Sequence, residues 1–98
     1  MFWKTYFVFG EMAELGEHAA RYHQQVGDLA KKLGIDALYT CGELTALTTE
    51  TFGGGAQHYA TQQALLAALQ PQLQADTTVL VKGSRRAQMD KIVSALLA

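Results

Sequence analysis

The sequence predicts a three-layer α/β/α fold of the Rossmann-like type, in which one parallel four-stranded sheet lies between two layers of helices. Apolar, β-favouring runs alternate four times with segments of helical periodicity, which is the pattern of repeated βα units. The first run, at residues 6–9, is continuously apolar, as expected for a strand covered on both faces. The chain has 98 residues, one proline and no linker-like tract, so we expect a single domain over residues 1–98.

The first half of the chain contains two predicted strand–helix units. Residues 6–9 and 35–41 are β-favouring runs that each stop at a glycine. Between them, residues 17–33 carry apolar side chains on one side of a helix and charged side chains on the other. The predicted apolar stripe comprises Ala19, Tyr22, Val26, Leu29, Ala30 and Leu33. A shorter helix over residues 44–52 would bury Leu44, Leu47 and Phe52.

The second half repeats this pattern. Residues 57–60 form a short third strand, and Thr61 caps the next helix, which Pro71 interrupts near its end. The inward stripe of that helix comprises Leu65, Leu66, Leu69 and Leu73. Residues 77–81 form the fourth strand, and Ser84 caps a last helix. The side chains of the last helix predicted to face inward are Met89, Ile92, Val93, Leu96 and Leu97.

The connections between these elements predict where a ligand would bind. Right-handed crossovers favour a sheet with the strand order 3-2-1-4. In that order the chain reverses direction across the sheet between strands 1 and 4, and open α/β sheets bind ligands outside the carboxyl ends of such strands. The loops over residues 10–16 and 82–85 should therefore face one another and form the binding site.

The loop over residues 82–85 has the chemistry of an anion site. Lys82 supplies a point charge, Arg85 offers a planar fork that matches carboxylate oxygens, and Gly83 allows close approach to the backbone. Ser84 and the free N–H groups of a following helix would add donors. The alternative is that Ser84 only caps that helix and that the two cations are solvated.

The loop over residues 10–16 is acidic. Glu11 and Glu14 could pair with Lys82 and Arg85 and organise the site, or they could receive the ammonium group of a zwitterionic ligand such as a small peptide. A plain ion pair between the loops is the alternative, and it would contribute at most about 1 kcal/mol if exposed.

Composition argues against several other partners. Eight basic and nine acidic residues give a net charge of −1, without the basic stripe that nucleic-acid binding requires. No apolar run approaches the roughly 18 residues that span a bilayer. The N-terminus lacks the pattern of a secretion signal, so we expect a cytoplasmic protein without a membrane partner.

Residues that could support catalysis or hold a metal are few. Cys41 is the only cysteine and is expected to be a small core residue. His18 and His23 lie about 140° apart around a helix and cannot share a metal. His23 is expected to be half-buried with its hydrogen bonds satisfied, and His58 has no visible partner. We therefore expect no catalytic residue, no metal and no cofactor bound by this chain alone.

Three segments together resemble the C-terminal domain of the Mur ligase family. They are Gly-Glu-Met-Ala-Glu-Leu-Gly at residues 10–16, a histidine followed by Val-Gly within residues 23–27, and Lys-Gly-Ser-Arg at residues 82–85. Their spacing, order and βα setting agree with the family over residues 6–97. The set is similar to the branch that adds D-alanyl-D-alanine to UDP-N-acetylmuramoyl-tripeptide.

The resemblance implies a fragment of an ATP-dependent amide ligase of cytoplasmic peptidoglycan synthesis. In such enzymes ATP phosphorylates the tripeptide carboxylate, Mg²⁺ neutralises phosphate charge, and the dipeptide amine attacks the acyl phosphate. The C-terminal domain closes over the site and presents the dipeptide. By this resemblance Lys82, Ser84 and Arg85 would contact ligand carboxylate or phosphate, and Glu11 and Glu14 would organise the loop.

The sequence departs from the family in what it lacks. The N-terminal and central ATPase domains are absent, as are two early strands that would lie beside residues 77–82. We therefore expect the isolated chain to be catalytically inactive and to associate through that exposed strand edge or through the faces left bare. The alternative hypotheses are a free-standing module that binds a small anion and a scaffold piece without a ligand site.

Overall fold

Four parallel strands form one sheet in the order β3-β2-β1-β4 in the computed structural model, which describes residues 3–97. The strands are β1 (Lys4–Gly10), β2 (Ala37–Cys41), β3 (Ala56–Tyr59) and β4 (Thr77–Lys82). The helices are α1 (Ala19–Lys32), α2 (Thr45–Phe52), α3 (Gln62–Leu69) and α4 (Asp90–Leu97). The predicted fold class and strand order are confirmed.

Helices cover both faces of this sheet. On one face Phe9 of β1 packs with residues of β2, α1 and α2, and the buried residues there are Phe9, Ala30, Leu38 and Phe52. On the other face β1 and β2 pack against α3 and α4, through Tyr6, Val8, Tyr39, Leu65, Leu69, Met89 and Ile92. Successive residues of β1 thus point into two different cores, which explains why the strand is continuously apolar.

Helices α1 and α2 lie unusually close together at Gly27. A Cβ atom at this position would overlap the Thr48 carbonyl oxygen and the Thr51 hydroxyl. The same two threonines also join the helices, because Thr48 Oγ1 donates to the carbonyl of His23 at 2.7 Å and Thr51 Oγ1 donates to that of Gln24 at 2.8 Å. The absence of a side chain at Gly27 permits this contact.

The prediction for the buried face of α1 was wrong in part. The fully buried positions of α1 are His23, Gly27 and Ala30, whereas Leu29 is 56% exposed and Leu33 is 70% exposed. Tyr22 is also exposed. In the part of the chain that the structure describes, β4 is the last strand of the sheet and no element covers the side of α1 that faces it, so part of the apolar stripe faces outwards.

The prediction for the last helix needs two corrections. The segment after β4 forms a 3-10 turn, Arg85–Ala87, and α4 begins only at Asp90, so Ser84 does not cap an α-helix and makes no side-chain capping bond. Val93 and Leu97 are exposed rather than inward-facing, with Leu97 at 82%. Both residues lie beside the open edge of β4, where no strand or helix of residues 3–97 covers them.

The prediction for α2 was wrong in part, because it buries Thr45, Thr48 and Phe52, whereas Leu44 and Leu47 are only half-buried.

Two details of the third helix hold. Thr61 caps α3, where its Oγ1 accepts the Ala64 N–H at 3.1 Å, and Pro71 lies in a 3-10 turn directly after that helix. Within residues 3–97, no helix has the length and apolar character needed to cross a membrane.

Candidate functional site

The loops that follow β1 and β4 meet at the carboxyl ends of these neighbouring strands. The backbone N–H and the Oγ of Ser84 both donate to the carbonyl oxygen of Glu11, at 3.2 and 2.8 Å. A Cβ atom at Gly83 would lie 3.2 Å from Gly10 Cα, so the two glycines allow the backbones to touch. The predicted convergence of the two loops is confirmed.

Glu11 connects the site to a third loop. Its Oε1 accepts the N–H of Leu44 at 2.7 Å, at the start of α2. The loops after β1, β2 and β4 are therefore joined through one residue, whose carbonyl oxygen and carboxylate accept from different neighbours. A carboxylate in this position also suits the partial positive charge of a helix N-terminus.

The predicted pairing of charges between the loops is not seen. Among residues 3–97, neither Glu11 nor Glu14 forms a salt bridge with Lys82 or Arg85. Glu14 instead has an exposed side chain and a backbone φ of 62°, in the left-handed region that few non-glycine residues adopt. The interpretation of the loops as a plain ion pair is wrong.

His23 on α1 binds the loop after β1 through a hydrogen bond to its ring. Its ring is fully buried, Nε2 accepts the N–H of Met12 at 3.0 Å, and Nδ1 lies 2.7 Å from the carbonyl oxygen of Ala19. The prediction of a histidine with satisfied hydrogen bonds is confirmed, although its burial is complete rather than partial. Its spacing from the loop, 11 residues along the chain, gave no sign of this contact.

The predicted site residues divide between two cavities. A cavity of about 670 Å³ is lined by Lys82, Gly83, Ser84 and Arg85 together with residues at the start of α4. A smaller cavity of about 270 Å³ lies on the other side of Ser84, and its lining includes Glu11. Ser84 thus stands between the two cavities, and Glu14 lines neither of them.

The smaller cavity contains charged residues that the sequence did not single out. Arg86 and Glu43 line it together with Glu11, so it carries both signs of charge. The 3-10 turn over Arg85–Ala87 explains the division, because Arg85 and Arg86 project about 120° apart around such a turn. The sequence shows two adjacent arginines, but the prediction of a regular α-helix after Ser84 gave no sign that their side chains line different cavities.

The 3-10 turn also changes how the site can bind an anion. A turn of three residues supplies little of the helix dipole that the sequence prediction invoked. The Ser84 hydroxyl proton is already donated to the Glu11 carbonyl oxygen, and so is the Ser84 N–H. Any anion in the larger cavity would therefore be held mainly by the exposed cations that line it, which are Lys82, Arg85 and Lys91.

The remaining candidate residues, His58 and Cys41, lie in environments that favour a structural role over a chemical one. His58 has partners after all, because its Nδ1 lies 2.9 Å from Thr40 Oγ1 and 3.3 Å from Thr45 Oγ1. Burial raises the pKa of the Cys41 thiol, which lowers the thiolate fraction and so makes this residue a poor nucleophile. Within the described part of the chain, no three metal-ligating side chains come together.

Comparison with known proteins places this geometry in a family. Residues 3–85 match the family model described as Mur ligase, glutamate ligase domain. The chain belongs to the Mur ligase family. The family match includes both loops of the candidate site, and the resemblance noted from three short motifs is confirmed.

Curated relatives point to one branch of the Mur ligases. A protein of Escherichia coli is 41% identical over 91 residues, which are 91% of this chain and 20% of the relative. A protein of Buchnera aphidicola is 35% identical over 92 residues, which are 92% of this chain and 20% of the relative. Both are named UDP-N-acetylmuramoyl-tripeptide--D-alanyl-D-alanine ligase. The chain spans about a fifth of the length of these relatives.

Solved structures of Mur ligases share the fold. MurF from Acinetobacter baumannii superposes with a TM-score of 0.81 at 22% identity, over 98% of this chain and 22% of the solved one. MurF from Thermotoga maritima, in a complex with ADP, superposes with a TM-score of 0.80 at 19% identity, over 95% and 21%. At these identities the likeness supports the architecture alone.

Proposed function

We propose that this chain is the dipeptide-binding part of an ATP-dependent ligase that adds D-alanyl-D-alanine to UDP-N-acetylmuramoyl-tripeptide in the cytoplasm. The observation that carries the proposal is the 41% identity to the Escherichia coli ligase over 91 residues that include both converging loops. The chain matches a fifth of that relative, so the N-terminal and ATPase domains would lie elsewhere in the complete enzyme. By itself the chain would present one substrate and would not catalyse the reaction.

The cations of the site suit the carboxylate of a dipeptide. Lys82 and Arg85 are exposed cations that line the larger cavity, where they would bind the dipeptide carboxylate or a phosphate group. Ser84 would fix the shape of that loop through its two bonds to Glu11. Glu11 would organise the three loops, and Glu14, which lines neither cavity, would help to organise the loop after β1.

ATP and Mg²⁺ belong to the complete enzyme in this proposal. The solved Thermotoga maritima relative is a complex with ADP, which supports nucleotide use by the parent protein. We assign the Mg²⁺ ion to the complete enzyme, where phosphate oxygens and water would supply most of its ligands. The contribution of this chain would be positioning, because a dipeptide amine held near the activated carboxylate reacts as an intramolecular group.

A chimeric ligase tests the proposal. The matching 91 residues of the Escherichia coli relative would be replaced by this chain, and the amide product would be measured by mass spectrometry with ATP, tripeptide precursor and dipeptide present. We expect product from the chimera, and none from the isolated chain or from the relative truncated at the same point. A folded chimera that binds ATP but never joins the dipeptide would contradict the proposal.

We also propose that the isolated chain pairs with a second copy along β4. Within residues 3–97 the outer edge of this strand is unpaired, and a groove of about 470 Å³ flanks it on each face, one apolar and the other of mixed polarity. Leu80 lines one groove and Val79 lines the other. Antiparallel pairing of the two edges about Val79 would place Lys82 opposite Asp76 of the copy, so the charges at the strand ends are complementary.

The substitution Leu80→Lys is expected to convert such a dimer to a monomer, because it would place a charge in the centre of the interface. Light scattering after size exclusion would measure the mass, with the exposed Tyr22→Lys on α1 as the matched control. We expect the control to remain dimeric. A wild-type chain that is monomeric at the highest soluble concentration would contradict this proposal and leave the ligase proposal untouched.

A further inference from the structure

The two hydrogen bonds of the His23 ring determine which tautomer it adopts. The Ala19 carbonyl oxygen can only accept, so Nδ1, which lies 2.7 Å from it, must carry a proton. The N–H of Met12 can only donate, so Nε2, at 3.0 Å, must be unprotonated. The two contacts together are satisfied by one species alone, the neutral imidazole with its proton on Nδ1.

The ring is also held rigidly in place. It is fully buried, and its centroid lies 5.8 Å from that of Phe9 in the core between the sheet and α1. The backbone of His23 is fixed separately, because Thr48 of α2 donates its hydroxyl to the His23 carbonyl oxygen at 2.7 Å. The imidazole is therefore a fixed acceptor that faces the loop after β1, and the backbone of the same residue is bonded to α2.

What His23 fixes is the part of that loop nearest the candidate site. Among residues 3–97, the Met12 N–H bond is the only hydrogen bond that joins residues 11–15 to α1. The residue before it, Glu11, accepts both bonds from Ser84 and holds the start of α2. A shift of the Met12 main chain would therefore move the Glu11 carbonyl oxygen and, with it, the turn that carries Arg85.

We propose that His23 is a positioning residue of the dipeptide site and that it acts through Met12, Glu11 and Ser84 rather than by contact with the ligand. The inference rests on the proposed function for its effect on the dipeptide, but the ring contacts that carry it belong to the chain itself. The Nε2 acceptor is the functional atom, because it alone faces the loop. The Nδ1 bond serves to orient the ring within α1.

Two amide substitutions separate these roles. His23→Gln places an acceptor near the position of Nε2, whereas His23→Asn retains a donor near Nδ1 and has no group that reaches Met12. In the chimeric ligase, His23→Asn should raise the KM for D-alanyl-D-alanine about tenfold, while His23→Gln stays within about threefold of wild type. The KM for ATP should be unchanged in both, because a general loss of structure would not spare it.

Nuclear magnetic resonance of the 98-residue chain gives a readout that needs no activity. Long-range ¹H–¹⁵N spectra should show His23 as the Nδ1-protonated tautomer, and the Met12 amide should exchange slowly with solvent in wild type and His23→Gln but rapidly in His23→Asn. An Nε2-protonated ring, or equal dipeptide KM values for the two variants in an active chimera, would overturn the inference. An inactive wild-type chimera would overturn the proposed function instead, and the spectra would then decide the role of His23 in holding the loop.

Discussion

The substitution Gly27→Ala is expected to lower the free energy of unfolding by about 3 kcal/mol, the upper end of what overpacking a core costs. The added Cβ would overlap the Thr48 carbonyl oxygen and the Thr51 hydroxyl, so α1 and α2 would have to separate. Separation would also break the two threonine bonds that join the helices. Since backbone on α2 is one of the obstacles, a side-chain rotation cannot relieve the overlap.

Urea unfolding followed by circular dichroism would measure this loss. Gly54→Ala provides a matched control, because no atom lies within 4 Å of a Cβ at that position. It should leave stability unchanged or raise it slightly by restricting the unfolded chain. Equal stability of the two variants would show that the close contact between α1 and α2 does not exist as described.

The substitution Arg85→Ala is expected to raise the KM of the chimeric ligase for D-alanyl-D-alanine about 30-fold, which corresponds to the loss of about 2 kcal/mol from a charge-assisted hydrogen bond. Arg85 is one of three cations that line the larger cavity, with Lys82 and Lys91, and Ser84 has no proton left to replace it. The kcat at saturating dipeptide should change little, because the arginine would bind the substrate without taking part in the reaction.

The adjacent arginine is the control for this prediction. Arg86 lines the smaller cavity, so Arg86→Ala should leave the dipeptide KM within about threefold of wild type. Steady-state kinetics of the two variants, with ATP and the tripeptide precursor saturating, make the comparison. If the Arg86 variant lost affinity and the Arg85 variant kept it, the dipeptide would lie in the smaller cavity and our assignment would be wrong.

The architecture could be predicted from the sequence because two simple rules constrain it. Continuous apolarity at residues 6–9 requires helices on both faces, since Tyr6 and Val8 enter one core and Phe9 enters the other. Right-handed connections between parallel strands then leave few strand orders. The meeting of the loops after β1 and β4 followed as well, because adjacent parallel strands end at the same edge of the sheet.

The burial and the hydrogen-bond partners of several side chains could not be predicted, because they depend on residues that are distant in the sequence. The helical periodicity placed Leu29 and Leu33 on the stripe predicted to face the core. It carries no information that, within residues 3–97, β4 ends the sheet and leaves both residues uncovered. Ser84 was identified as a cap from its residue type, whereas its hydroxyl donates to Glu11, a residue 73 positions away. Such long-range partners become visible only when the chain is folded.

The most direct test of the account is a crystal structure of the chimeric ligase with D-alanyl-D-alanine bound. The central claim is that the tips of β1 and β4 together form the dipeptide site. We predict the dipeptide carboxylate within hydrogen-bonding distance of Lys82 or Arg85, with the bond between Ser84 and Glu11 intact beside it. A dipeptide bound by residues outside the loops that follow these two strands would contradict the claim.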